Sequence, residues 1–341
     1  MYLAALKIRL MKLKSIIFIV SSVLLFAACK KDDDDIVIVP ARPLAEIVLE
    51  DDAKIQEFLA ANFYNYEEFE NPPVGFDYKI KIDTIGGINA NKIPLSNFVQ
   101  DTIIELTTAG TLGESDTKVA HKLYYLIARQ GGGARPTPAD SIYHKYEGAL
   151  MDTISTSVGP IRTVSSVFDS TNDSFIWRDV SYNIRGFSAG IAKLNAASAI
   201  TVNEDGTTSL EDSGIGMVIM PSALGYYNNI NGGITAYSPL IFMLEVGLFV
   251  ENTDADNDGI PSILEDLNGN GYLMDDNTNY EEELAINSIY NATIFANFQD
   301  PDDDGDGTAT IDEIVINEDG TITFPDADGD GVPDYLDADT K

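Results

Sequence analysis

Lys122-Leu-Tyr-Tyr-Leu-Ile-Ala-Arg129, Gly131-Gly-Gly-Ala-Arg-Pro-Thr-Pro-Ala-Asp140 and Ser141-Ile-Tyr-His-Lys-Tyr-Glu-Gly-Ala-Leu150 succeed one another near the middle of the chain. The first and third are rich in aromatic and β-branched residues and read as strands. The second is dense in Gly and Pro and reads as a loop. Strand candidates continue on the C-terminal side with Val167-Phe168-Asp169-Ser170 and Phe175-Ile-Trp177, and then comes Asn183-Ile184-Arg-Gly-Phe187. A short helical stretch over 188–195 precedes Ile219-Met-Pro-Ser-Ala-Leu-Gly-Tyr226. Ile234-Thr-Ala-Tyr-Ser-Pro-Leu-Ile-Phe242 leads into the alternating last strand, Met243-Leu-Glu-Val-Gly-Leu-Phe249.

Taken in this order, the motifs resemble the FKBP family of peptidyl-prolyl isomerases over roughly residues 119–250. The resemblance implies an α+β fold in which a strongly bent antiparallel β-sheet wraps across one short helix, with an apolar pocket between them. Carried over residue by residue, the pocket would be lined by Tyr146, Phe168, Asp169, Phe175, Ile184, Phe187, Tyr226, Ile234 and Phe242. Phe187 would form its floor, Tyr226 would donate a hydrogen bond to a substrate carbonyl, Asp169 would supply a polar wall and Tyr146 the rim.

Such residues suit the reaction. Rotation about an X-Pro bond meets a barrier near 20 kcal/mol because it breaks amide conjugation, and the step needs no nucleophile. A dry aromatic pocket favours the twisted amide over the more polar planar one. The sequence departs from the family in having Phe187 where the floor is usually Trp, and Asn183 where an apolar residue usually precedes Ile184. The connection between Gly148 and Phe168 is longer than the family's, and residues 200–214 add an acidic insertion. Three functions are therefore expected: an isomerase acting on exported proteins, a binding module that holds proline-containing polypeptides without turnover, and a structural surface lipoprotein.

N-terminal to this region, residues 46–63 carry Ile47, Leu49, Ile55, Leu59 and Phe63 at helical spacing and predict an amphipathic helix packed on the segments C-terminal to it. Lys79-Ile-Lys-Ile-Asp83 and Thr102-Ile-Ile-Glu-Leu106 alternate as strands do, with turn signals at Gly86-Gly87 and across 110–113.

The first residues read as a leader. Lys12 and Lys14 precede an apolar run over 16–28, too short for a membrane-spanning helix of roughly 20 residues but suited to a secretory signal. The length of the basic region points to Met11 as an alternative start. Leu25-Phe26-Ala27-Ala28-Cys29 resembles a bacterial lipobox, and Cys29 is the only cysteine in the chain. The resemblance implies lipidation there, and hence an outer-membrane lipoprotein on the periplasmic face or the cell surface. Lys30-Lys31-Asp32-Asp33-Asp34-Asp35 comes next as an acidic tether and resembles the surface-export tag of Bacteroidetes lipoproteins.

The net charge of −34 excludes nucleic acid and anionic membrane surfaces as natural partners. One Cys and two His exclude a disulfide framework and argue against a His/Cys zinc site. The acids concentrate at the C-terminus, where residues 251–341 hold 26 Asp or Glu against the single base Lys341.

Within that segment Asp254, Asp256, Asp258 and Glu265 occupy places one, three, five and twelve of a calcium loop, with Gly259 at the sixth. Asp302, Asp304, Asp306 and Glu313 repeat the pattern. Asp266, Asn268, Asn270 and Asp275 form a variant, and Asp326, Asp328, Asp330, Asp334 and Asp337 another. The last resembles the thrombospondin type 3 repeat, whose short loops pack on bound calcium. Proline in Gly259-Ile-Pro261 and Gly331-Val-Pro333 favours that form over a helix-flanked loop. Calcium is therefore the expected structural cofactor, none is expected for catalysis, and folding of 254–341 is expected to depend on it. Residues 280–298 interrupt the loops with an apolar helix or strand pair expected to pack on the preceding domain. The divisions read from the sequence are 1–28 signal, 29–45 tether, 46–118 extension, 119–250 isomerase-like domain and 251–341 calcium-loop region.

Overall fold

The computed structural model describes residues 40–107, 117–156, 159–204 and 208–340. The leader, Cys29, residues 29–39 of the expected tether and the turn signals at 110–113 lie outside the described residues, and the last tether residues, Leu44 and Ala45, already belong to the first helix. No helix among the described residues is long and apolar enough to cross a membrane.

Residues 42–341 form one contact unit. It opens with helix α1 (Leu44–Ala61), strand β1 (Asn62–Tyr64), helix α2 (Tyr66–Glu70) and strand β2 (Ile82–Thr84). Then come β3 (Gln100–Thr107), β4 (Lys118–Arg129), β5 (Ser141–Thr156), β6 (Gly159–Ser170) and β7 (Ile176–Asp179). Helix α3 (Arg185–Ile191) is followed by β8 (Ala199–Val202), β9 (Thr208–Glu211), β10 (Gly214–Met220) and β11 (Leu240–Val250). The acidic region adds helices α4 (Tyr280–Tyr290) and α5 (Thr310–Glu313) and the two-residue strands β12 (Val315–Ile316) and β13 (Ile322–Thr323).

The main sheet has the order β3-β4-β10-β11-β5-β6, with β7 sharing the outer edge of β5 beside β6. Every pairing in it is antiparallel. Register shifts at Ile215/Gly216, Val246/Leu248 and Gly148/Ala149 insert extra residues and bend the strands. The order is set by burial: β10 reads Gly-Ile-Gly-Met-Val-Ile-Met with every residue buried, so it must lie inside the sheet and be covered on both faces.

Both covers are present. On one face Phe187 and Ile191 of α3 pack with Ile142, Val218, Met220, Phe242 and Leu244. On the other, Ile55, Phe58 and Leu59 of α1 pack with Tyr124, Leu126, Met217, Ile219 and Ile241. Each fully buried aliphatic or Phe side chain contributes roughly 1.5–3 kcal/mol of transfer free energy. β3 pairs with β4 along its whole length, so the N-terminal extension supplies an edge strand as well as a covering helix.

α1 also pins the segment after β10. Asp51 is buried on the helix and accepts from the Ser222 amide at 2.8 Å and the Ser222 hydroxyl at 2.5 Å. The Tyr237 hydroxyl accepts from the Arg42 amide at 3.0 Å, and the Tyr227 hydroxyl donates to the Arg42 carbonyl. The insertion at 200–214 contributes the hairpin β8–β9, and the long connection after Gly148 extends the β5–β6 hairpin. The 280–298 segment forms α4, none of whose helical residues is buried, so the helix itself does not make the expected packing. The contact with the preceding domain is made after the helix: Ala296 and Phe298 pack with Ala139 and Leu273.

Candidate functional site

Strand alternation builds the apolar face. On β5, Ile142, His144, Tyr146 and Gly148 point toward α3, while Tyr143, Lys145 and Glu147 point away. Gly148 is required there: an added Cβ would come within 2.7 Å of the Phe168 ring and 2.9 Å of Phe242. Gly186 and Gly190 do the same for α3, where a Cβ would meet Met220 at 2.6 Å and Val218 at 2.5 Å, so the helix lies directly on β10.

Four rings meet in the space this leaves. Phe187 lies 5.1 Å from Phe242 and 5.6 Å from Tyr146, and Phe168 lies 5.6 Å from Phe242, all edge-to-face. Phe187, Phe242 and Ile234 are buried, and Ile184, Phe168, Tyr146 and Tyr226 are partly buried around them. Asp169 is exposed at the rim and accepts from the Tyr146 hydroxyl at 2.5 Å. Burial first, and Asp169 second, push the Tyr146 phenol up to about 12, so it stays protonated and committed to that bond. The Tyr226 hydroxyl has no hydrogen-bond partner among the described residues and is free to donate to a ligand.

Phe175 does not join this group. It stacks on Tyr143 at 5.0 Å and lies under the Lys145 ammonium on the opposite face of β5. β7 pairs Trp177 with Tyr143, which fixes this side of the strand to the odd-numbered β5 residues.

Two polar groups lie near the pocket, His144, which was not singled out from the sequence, and Asn183, which was noted there only as a departure from the family pattern. His144 is buried, stacked 6.0 Å from Tyr146 and 5.6 Å from Phe187. Its Nδ1 lies 3.0 Å from the Ile142 carbonyl, its Nε2 has no partner, and burial lowers its pKa and keeps it neutral. The Asn183 Oδ1 accepts from Arg178 at 3.2 Å while its Nδ2 is buried and unpaired. The i, i+2 spacing of His144 and Tyr146 is the signal that would have placed the histidine on the pocket face. A separate cleft of about 210 Å³ is bordered by Tyr78, Lys79, Lys145, Asp173 and Glu245 and includes Tyr146.

The acidic loops share one geometry. The sixth residue, Gly259, Gly271, Gly307 or Gly331, has φ between 74° and 101°, which glycine alone adopts without strain. In each loop its amide donates to the first side chain, Asp254, Asp266, Asp302 or Asp326, at 2.8 to 3.1 Å. The fifth side chain accepts from the seventh amide in every case. These bonds turn the carboxylates of places one, three and five inward. Asp254, Asp256 and Asp258 offer oxygens within 4.8 Å of one another, as do Asp302, Asp304 and Asp306, and Asp326, Asp328 and Asp330.

The other expected ligands divide. Glu313 lies close enough to Asp304 and Asp306 that their charges raise its pKa, after burial, to about 7. Asn268 and Asn270 turn their amide nitrogens to Asp275, and Asp276, unnoticed in the sequence, adds a buried unpaired Oδ2 beside them. Asp334 and Asp337 do not converge with Asp326, Asp328 and Asp330. Asp334 accepts from the Ala327 amide and Asp337 from the Asp339 amide and Thr340 hydroxyl, so local hydrogen bonds hold both. Glu265 joins Asp258 and Asp303, and Asp303 was absent from the expected set.

These buried acids lack partners. Both carboxylate oxygens of Glu265 and of Asp303, and one each of Asp258, Asp302, Asp304 and Glu313, are buried without a hydrogen bond. Burial, reinforced by neighbouring acids, pushes Glu265 up to about 11, Asp303 to about 9 and Asp258 to about 6. An all-oxygen donor set of this kind, with no base nearby, fits a hard divalent cation.

The acidic region touches the pocket side of the sheet. Tyr182 meets Phe298 edge-to-face at 5.2 Å, and the Arg185 guanidinium of α3 lies 5.0 Å from the Tyr272 ring.

Residues 255–325 match the family model described as BamM C-terminal. No curated protein matches the chain. Among solved structures the chain is similar to a peptidyl-prolyl cis-trans isomerase from Pseudomonas syringae, with 15% identity and a TM-score of 0.27, covering 38% of this chain and 76% of that one. It is also similar to FkpA from Escherichia coli at 20% identity and a TM-score of 0.27, covering 38% of this chain and only 48% of that one. A multi-domain immunophilin from Arabidopsis thaliana is similar at 14% identity and a TM-score of 0.29, over 49% of this chain and 54% of that one.

Proposed function

We propose that residues 119–250 are an FKBP-like peptidyl-prolyl cis-trans isomerase domain acting on X-Pro bonds of exported polypeptides, with calcium as a structural cofactor of residues 251–341. One observation carries the reading: Tyr146, Phe168, Phe187 and Phe242 gather on the α3 face of a bent sheet, with the unpaired Tyr226 hydroxyl beside them.

An apolar wall of rings accepts the prolyl ring and excludes water, which favours the less polar twisted amide over the planar one. Tyr226 donates to the substrate carbonyl. Asp169 and Tyr146, bonded to each other, fix the rim. No proton is moved. Calcium, when bound by the acidic loops, supplies positive charge to carboxylates that have no other counterion and so makes the segment rigid. Lipidation at Cys29 would hold the protein at the outer membrane, on its periplasmic face or at the cell surface, with proline-containing polypeptides as partners.

The test is a protease-coupled isomerisation assay with a Leu-Pro-Phe peptide, run with and without calcium. A rate above background that falls in Phe187→Ala supports the enzyme. No acceleration by a folded, calcium-loaded protein overturns it.

A second reading, a binding module without turnover, is favoured by the filling of the floor: Phe187 is 4% and Phe242 5% exposed, each packed on the other. Saturable binding of the same peptide without acceleration would support that reading.

A further inference from the structure

We propose that Asp258, Glu265 and Asp303 form a divalent-cation site of their own, shared between loops 254–265 and 302–313 and distinct from the site inside either loop. The proposal rests on the calcium reading of the acidic region and deepens it, because it turns separate loops into one cross-linked unit.

Position two of the loops is the first clue. It is Ala255, Leu267 and Ala327 in three of them, and Asp303 in the fourth. Asp302, Asp304 and Asp306 converge inside their own loop, so the residue between the first two faces outward. A solvated surface would accept such an aspartate at no cost, but Asp303 is only 1% exposed. Its amide donates to the Thr310 hydroxyl at 3.2 Å, and neither of its carboxylate oxygens has a partner.

The groups it meets are equally buried. Asp303, Glu265 and Asp258 offer oxygens within 4.8 Å of one another, and Glu265 and Asp258 are 0% and 1% exposed. Both oxygens of Glu265 and the Oδ2 of Asp258 are unpaired, whereas the Asp258 Oδ1 accepts from the Ile260 amide at 2.7 Å. Burying a carboxylate without a partner is strongly unfavourable, and three within contact distance repel one another besides. No basic side chain among the described residues offsets this, since both oxygens of Glu265 and of Asp303 and the Asp258 Oδ2 have no hydrogen-bond partner at all.

A cation can. Oxygens ligating calcium at 2.3–2.6 Å are at most about 5 Å apart across the ion, which matches this cluster, and an oxygen-only set selects calcium or magnesium over softer metals. Asp258 belongs to this group and to the Asp254, Asp256, Asp258 group, so it bridges the new site to the loop's own. Ile260, Ile314 and Tyr335 form an apolar cluster in the same region, and the buried Tyr335 phenol feels the charges of Asp303, Glu265 and Asp258.

The experiment uses the full-length chain, stripped with chelator, reloaded with calcium and analysed for bound metal by equilibrium dialysis. Asp303→Ala gives this loop the residue found in two of the others and leaves Asp302, Asp304 and Asp306 intact. The expected result is one calcium fewer per chain than wild type, with Asp303→Asn lowering the affinity of that ion at least tenfold. Unchanged number and affinity in both variants, with wild type still binding calcium, overturns the shared site and leaves the loop reading standing. Wild type that binds no calcium overturns both. If Asp303→Ala fails to fold, anomalous diffraction from calcium-grown wild-type crystals decides. A peak in contact with all three carboxylates supports the site, and peaks confined to the other loops overturn it.

Discussion

Replacing Asp51 by Ala should loosen the segment that carries Tyr226. Asp51 lies on α1, fully buried, and its Oδ2 accepts from both the amide and the hydroxyl of Ser222, itself fully buried. Alanine leaves two donors that water cannot reach. Hydrogen bonds to a charged group contribute roughly 1.5–3 kcal/mol each. The contact from Lys54 to Asp51 Oδ1, at 3.1 Å on a part-exposed ammonium, adds ~0–1 kcal/mol. Against this, the buried carboxylate no longer has to be desolvated. The net loss expected is about 3 kcal/mol, which lowers the thermal midpoint by ~5 °C for a chain of this size. The sharper readout is amide exchange in the calcium-loaded protein. A loss of that size exposes the Ser222 amide about a hundredfold more often, and the Leu224, Gly225 and Tyr227 amides, bonded to Pro221 and Ser222 carbonyls, should do the same. Asp51→Asn retains an acceptor and should lose less. Unchanged protection of residues 222–227 in Asp51→Ala would refute the view that α1 holds this segment through the carboxylate.

If the domain is the proposed isomerase, Tyr226→Phe lowers its rate about tenfold, the worth of one hydrogen bond near 1.4 kcal/mol, without moving the thermal midpoint, because the hydroxyl bonds nothing among the described residues. Phe187→Ala should lower both, since removing a buried Phe costs ~3–5 kcal/mol. In calcium-free protein Asp256 and Asp276 are raised to about 7 and Asp303 to about 9, above their unfolded values, by burial first and by neighbouring acids second. The folded form then holds protons that the unfolded chain releases near pH 4, so this stability is full below pH 4 and lost as pH rises through about 7 to 9. Calcium should reverse the sign, because it binds the ionised carboxylates and displaces those protons. Denaturant titrations at several pH values, with calcium and with chelator, measure both slopes, and equal slopes would contradict the expectation. Arg185→Gln should free Tyr272 and speed amide exchange across 266–276 while leaving 326–337 unchanged, because the guanidinium contact is local to that ring.

Much of this arrangement could be read along the chain, because local chemistry decides it. Glycine at the sixth place of each acidic loop fixes the backbone turn, and in 254–265, 302–313 and 326–337 the acids at places one, three and five then face one another. The alternation of β5 likewise decides that Tyr146 and Gly148 share a face, and the apolar spacing read over 46–63 marks Ile47, Ile55 and Leu59 as the buried side of α1, although Leu49 is exposed and Phe63 falls in β1. The bent antiparallel sheet around one short helix was expected only through the resemblance of the motifs from Lys122 to Phe249 to the FKBP family.

Other features exist only once distant segments meet. Phe175 lies two residues from Trp177, and nothing local says which face of β5 will receive them; the register of β7 on β5 does. Asp51 reads as one acid among several on an amphipathic helix until the fold brings Ser222 against it. Asp334 and Asp337 match a ligand spacing, yet the Asp334 Oδ1 accepts from the Ala327 amide and both Asp337 oxygens accept from nearby amide and hydroxyl donors. Asp303 reads as one more charge in an acidic run, and the packing of one loop on another is what buries it against Glu265 and Asp258. Sequence spacing thus determines which way a side chain leaves its own turn, while solvation and partner, which set its energy and chemistry, belong to the tertiary structure.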